Sequence, residues 1–158
     1  MVMSNRERVG RGMELLRDGL GHYVLSQCKS KLPEAQFKAV VQRLFPDGIP
    51  RVESPEALSQ AMDVQEVIFV MTDFWKDAFH DQLGHPGRTL VSELRNVRNE
   101  WAHMKAFTLD DAHRALDSMS RLLDMASAPQ TDSVKAMAVE VMRQRFEAEI
   151  ERSKRQAA

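Results

Sequence analysis

Apolar residues along the chain recur at steps of three and four, and no stretch alternates at steps of two. Ser4 and Glu7 have the spacing of a capping box. Behind them Val9, Met13, Leu16, Leu20, Val24 and Cys28 mark one long amphipathic helix, weakened in intrinsic propensity by Gly10, Gly12, Gly19 and Gly21. Pro33 suits the first turn of a second helix with Phe37, Val40, Val41 and Leu44 inside it, and Pro46-Asp47-Gly48 stops that helix in a turn. Residues 49–55 carry two prolines and read as an extended linker, and residues 56–61 as a short helical turn. Asp63 and Glu66 again have the spacing of an N-cap and its third residue. Val64, Val67, Ile68, Met71, Trp75, Ala78 and Phe79 then mark a third main helix, ending near Gly84-His85-Pro86-Gly87. A fourth helix spans about residues 88–104. Thr108 caps a fifth, with Leu109, Ala112, Leu116, Met119, Leu123 and Ala126 at helical spacing, until Pro129 breaks it. A sixth, more charged helix covers about residues 133–154. The pattern predicts an all-α, antiparallel helical bundle of about five to six helices. Its expected division is a helical domain over residues 1–128, followed by a C-terminal helix, or the lead into a further domain, over residues 129–158.

Composition agrees with that reading. The 158 residues are one domain's worth, and hydrophobic residues make up 43% of them, enough for a core. The ten methionines suit adaptable helix packing and suggest no cofactor. Net charge is -1, which excludes coating nucleic acid by bulk electrostatics but leaves room for a local basic patch. The single cysteine, Cys28, excludes an internal disulfide and a cysteine-built zinc site, and it suits a reducing compartment. The first residues run straight into charge with no apolar stretch, and nowhere do 18 apolar residues run together. The expectation is therefore a cytoplasmic protein with no leader and no membrane span.

The fourth helix carries the candidate chemistry. On a wheel of roughly 100° per residue, Leu90, Leu94, Val97 and Trp101 share one stripe, which is expected to face the core. Asn99 and His103, four apart, share another face beside Ser92 and Asn96, well over 90° from the apolar stripe. Arg98 falls at the boundary, where its stem can lie along the surface and its guanidinium can swing toward the histidine. A two-residue match such as an arginine and a histidine five apart arises by chance, so on its own it describes a solvated helix face.

The wider string is more specific. Arg98-Asn99-Glu100-Trp101-Ala102-His103 resembles the signature of the HEPN family, an arginine followed after four to six residues by histidine, often with asparagine next to the arginine. The context is similar as well. Residues 63–83 with Trp75 and Phe79, Leu94-Arg95 before Arg98-Asn99, Thr108-Leu109-Asp110-Asp111 and Arg114-Ala115-Leu116-Asp117 look like the HEPN subtype of a eukaryotic nuclear transcript-surveillance endonuclease and of bacterial defence-associated ATPases. The likeness is best over residues 63–126. It implies a metal-independent endoribonuclease, with no cofactor, acting in RNA surveillance or phage defence. It implies His103 as acid and base on the 2′-hydroxyl or the leaving oxygen. Arg98 would clamp the charged transition state, and Asn99 would orient the histidine or the phosphate. It also implies a homodimer with one composite cleft built from two copies of the motif. Attack by a neighbouring 2′-hydroxyl would restrict substrates to RNA.

Other features add less. Arg95 and Arg88 could extend a phosphate-binding surface, or be ordinary surface arginines. Asp73, Asp77 and Asp81 line one helix stripe, which reads as a solvated acidic face because no second set of ligands converges on it; His80 and His85 lack zinc spacing, so no metal is expected. Trp75 and Trp101 read as core or interface anchors rather than stacking platforms. The alternative function is a non-catalytic HEPN-like dimerisation or RNA-binding module, with an ATPase, a helicase or an antitoxin as candidate partner. In its favour, the chain has no P-loop, triad spacing or glycine-rich phosphate loop.

Overall fold

In the computed structural model, residues 3–157 are described; Met1, Val2 and Ala158, the outermost positions of the two expected segments, lie outside them. Among the described residues there are seven α-helices and no strand: α1 (Asn5–Lys31), α2 (Glu34–Leu44), α3 (Pro55–Gln60), α4 (Val64–Asp73), α5 (His80–Ala102), α6 (Leu109–Met125) and α7 (Thr131–Ala157). A single π-helical turn, Trp75–Phe79, joins α4 to α5. The count exceeds the expected five to six because the short turn after Ser54 is a helix in its own right, while the π turn moves the boundary between the expected third and fourth helices back from Gly84 without adding one.

The N-terminal signals act as the sequence suggests. The Ser4 hydroxyl accepts from the Glu7 N–H while the Glu7 carboxylate accepts from the Ser4 N–H, and Thr108 and Asp111 make the same reciprocal pair. Asp63 caps α4 through the Gln65 N–H.

The long first helix is the axis of the molecule. It packs against every other helix, and Val9, Leu16, Leu20, Val24 and Cys28 are fully buried along it. Its glycines mark close approaches. A Cβ at Gly12 would come within 2.7 Å of a Leu116 methyl on α6, and one at Gly21 within 2.8 Å of Ser59 on α3. Residues that lower helix propensity are retained here because neighbouring helices sit against the backbone.

α6 and α7 form an antiparallel pair, with Arg145 level with Asp110 at the start of α6. Val134, Ala138 and Val141 bury the first half of α7. On its outer face Val139, Met142, Phe146 and Ile150 are all at least 40% exposed. Among the described residues no helix is long and apolar enough to cross a membrane.

Candidate functional site

Two devices shape the helix that holds the motif. At its start Gly84 adopts φ 62° and ψ −172°, a conformation that breaks the run of helix and lets Pro86 open a new one. At its end His103 is the C-cap, and Met104 takes the left-handed conformation at φ 61°. The Met104 N–H donates to the Trp101 carbonyl and the Lys105 N–H to the Glu100 carbonyl, the paired bonds of a Schellman closure. The helix thus ends two residues earlier than the sequence suggests, and His103 sits on its rim.

The buried face of α5 is also not the expected one. Gly87, Val91 and Leu94 are buried, whereas Leu90, Val97 and Trp101 are only partly so. The face is rotated by roughly 50° toward Val91. Arg98 falls on the continuation of that buried face. It is half-buried and points into a groove of about 970 Å³ between α1, the start of α4 and the end of α5, where Arg6, Gly10, Glu14, Asp63 and Trp101 also line the wall. Trp101 lies over Gly10, its indole N–H donates to the Arg6 carbonyl at 3.3 Å, and the Arg6 guanidinium stacks 4.6 Å from its ring centre.

Asn99 is half-buried and His103 exposed, and neither lines that groove. On the helix wheel Arg98 and His103 are about 140° apart, so one chain brings Asn99 and His103 to one face and turns Arg98 away from them. Among the described residues none of these three side chains makes a hydrogen bond or an ion pair. Seven other arginines, Arg11, Arg17, Arg43, Arg114, Arg121, Arg143 and Arg145, are each tied to a carboxylate.

Arg88 and Arg95 lie on the Asn99–His103 stripe of α5, two to four turns from the motif's end. Both are exposed and free of ion pairs among the described residues. Together with Thr72, Trp75, Val91 and Ser92 they line a small pocket of about 130 Å³ between the π turn and α5. Trp75 is only 4% exposed, and its indole nitrogen is buried with no hydrogen-bond partner among the described residues. The Arg95 guanidinium lies 5.1 Å from the centre of the Phe69 ring, whose other neighbour is Arg43. Glu66 and Asp73, flanking Phe69 on α4, are both engaged by Arg43. Asp77 and Asp81 face a different groove, lined by Gln27 and Lys31, so the acidic stripe of the sequence is divided.

Arg6 and the Trp75 indole escaped the sequence reading. Arg6 meets Trp101 across 95 residues of chain, and no local spacing announces such a contact. Ser92 had a legible signal, since Arg88, Ser92 and Arg95 are spaced to share one helix face.

A family model described as Swt1-like HEPN matches residues 11–127, the greater part of the chain. No curated protein and no solved structure gives a significant match.

Proposed function

Because the chain belongs to the Swt1-like HEPN family, whose domains are in general RNase-type or RNA-binding modules that often dimerise, we propose that it is a metal-independent endoribonuclease with Arg98, Asn99 and His103 at its active centre. One observation carries the reading: the three polar side chains of the motif lie at one helix end, Asn99 and His103 on one face and Arg98 turned toward α1, and among the described residues none makes a hydrogen bond or ion pair, whereas seven of the other fourteen arginines are tied to a carboxylate.

The chemistry follows from those groups. A neutral His103 imidazole takes the proton of the 2′-hydroxyl, the 2′-oxygen attacks the adjacent phosphorus, and the bond to the 5′-oxygen breaks as that oxygen gains a proton. The products are a 2′,3′-cyclic phosphate and a 5′-hydroxyl end. Arg98 neutralises the charge that builds on the phosphate, and Asn99 orients the imidazole. A homodimer fits this division. Arg98 turns toward α1 while His103 faces out, so two copies meeting at the ends of α5 supply two imidazoles, one as base and one as acid, to a single cleft. In this reading residues 1–128 are the catalytic unit and α7 an appended helix. Work in RNA surveillance or phage defence is the setting we propose.

The test is a gel assay of the wild-type chain on labelled RNA with EDTA present. Cutting should persist in EDTA and should stop when the scissile nucleotide is 2′-deoxy. Cutting that needs a divalent metal would show the assigned mechanism to be wrong. Binding without cutting would make the chain a non-catalytic RNA-binding module.

A further inference from the structure

The pocket between the π turn and α5 has an unusual balance of groups. Every polar side chain lining it can donate: the Arg88 and Arg95 guanidinium groups, the Ser92 and Thr72 hydroxyls and the Trp75 indole N–H. Among the described residues no carboxylate lines it. The Thr72 hydroxyl is already spent on the Ile68 carbonyl at 3.0 Å, but the other donors make no hydrogen bond among the described residues.

A buried donor without an acceptor costs about 1–3 kcal/mol, so native folds seldom leave one without a reason. Trp75 is held in place by stacking on Phe79, with ring centres 6.1 Å apart, and by Gly87, where a Cβ would come within 3.2 Å of the indole. The π turn sets its position, and such turns recur at functional sites. Arg95 is held against Phe69 while Arg43 occupies the nearby carboxylates. Two free guanidinium groups and a free hydroxyl therefore line one small cavity, whose wall includes Trp75, a buried indole with an unfilled acceptor requirement. Its volume of about 130 Å³ is below the roughly 300–1,000 Å³ of a small-molecule site, so it suits a single oxyanion group rather than a base and sugar.

We infer that this pocket is a phosphate site, in which Arg88 and Arg95 supply the charge and the Ser92 hydroxyl and Trp75 indole N–H donate to the phosphate oxygens. The inference rests on the RNA reading for its source of phosphate. Arg95 and His103 lie on one stripe of α5, about 12 Å apart along the helix. A strand anchored here reaches the histidine within a few nucleotides. The phosphate is then either an internal diester of the RNA or its terminal phosphate, both of which present the same oxygens.

The experiment follows the two indole N–H resonances of the ¹⁵N-labelled full chain. Inorganic phosphate is titrated at constant ionic strength made up with chloride. The Trp75 resonance should shift, while that of Trp101, whose N–H already donates to the Arg6 carbonyl, should stay in place; Trp101→Phe assigns the pair. In an Arg88→Gln/Arg95→Gln double variant the apparent affinity should fall at least about tenfold, the loss expected when two charge-assisted partners go. Both side chains are exposed, so the variant keeps its fold. Uncleavable 2′-O-methyl RNA is then added with and without a 5′-phosphate. A Trp75 shift with both assigns an internal diester, and a shift with the 5′-phosphorylated strand alone assigns the terminal phosphate; either result upholds the site. A Trp75 resonance that ignores both phosphate and RNA, or that responds equally in the double variant, overturns it. Binding is read without turnover, so a chain that never cuts RNA can still show this site, and an active nuclease can still lack it.

Discussion

His103 is exposed and has no partner among the described residues, while Arg98 is half-buried in the groove beside Arg6 and Trp101, and substitutions at the two should read differently. His103→Ala should lower the single-turnover cleavage rate by about 10²–10⁴-fold, the scale of a positioned proton-transfer group. RNA affinity should change less than for Arg98→Ala, because of the two His103 copies only the one acting as acid carries charge in the ground state, whereas both Arg98 copies do. Arg98→Ala should lower the rate by a comparable factor and weaken binding as well, read by filter binding at fixed salt. Trp101→Ala tests structure instead. The ring is only partly buried, so the loss should be about 2–3 kcal/mol in urea unfolding, below the 3–5 of a fully buried aromatic. Cys28 is fully buried and its thiol is pushed up to about 12 by burial. In the unfolded chain the same thiol ionises from about pH 8.5. Between those values only the unfolded state loses the proton, so stability present below that window falls as pH rises through it. Urea midpoints between pH 8 and pH 10 should fall more steeply for the wild type than for Cys28→Ala, and the native thiol should resist alkylation until the chain unfolds.

At the scale of elements, the irregular positions of α5 do the placing. The π turn and the Gly84 break set where the helix restarts, and the Schellman closure at Met104 decides that His103 lies on the rim. A left-handed conformation costs an L-residue about 1–2 kcal/mol, and glycine is the residue that escapes the cost. Met104→Gly should therefore stabilise the chain by about 1 kcal/mol in chemical denaturation. A loss of stability would mean that the contact of the Arg6 guanidinium with the Met104 sulfur outweighs the strain. α1 behaves in the opposite way. Gly21→Ala raises helix propensity, but the new methyl meets the Cβ of Ser59, an atom held close to the α3 backbone. The overpacking should win and cost about 1–3 kcal/mol.

For the whole molecule, the proposed composite cleft requires two chains. Light scattering at high micromolar concentration should give a dimer mass, and a monomer mass there would remove the two-histidine mechanism while leaving the fold intact. A mixed dimer of His103→Ala chains with wild-type chains should retain less than half of wild-type activity if both imidazoles serve one cleft. It should retain about half if each chain works alone.

Most of the helices and the family are legible in local sequence. Periodicity of 3.6, the capping boxes at Ser4 and Thr108 and the breaks at Pro46, Gly84 and Pro129 are local signals, written within a few residues of where they act. The Arg98-to-His103 string is equally local, and the family match now includes it. Which sector of α5 is buried was not legible, because Val91 and Leu90 are both apolar and only the packing of neighbouring helices chooses between them. That choice turned Arg98 toward α1 rather than leaving it at the boundary. The π turn was hidden for a related reason: one extra residue in a helical turn changes the register of Asp73, Asp77 and Asp81 without changing the apolar spacing around Trp75. Contacts across long stretches of chain, Arg6 on Trp101 and Phe69 beneath Arg95, came only from the fold. Local chemistry selects the helices; the directions in which their polar groups point are set by packing, which sums contributions from the whole chain.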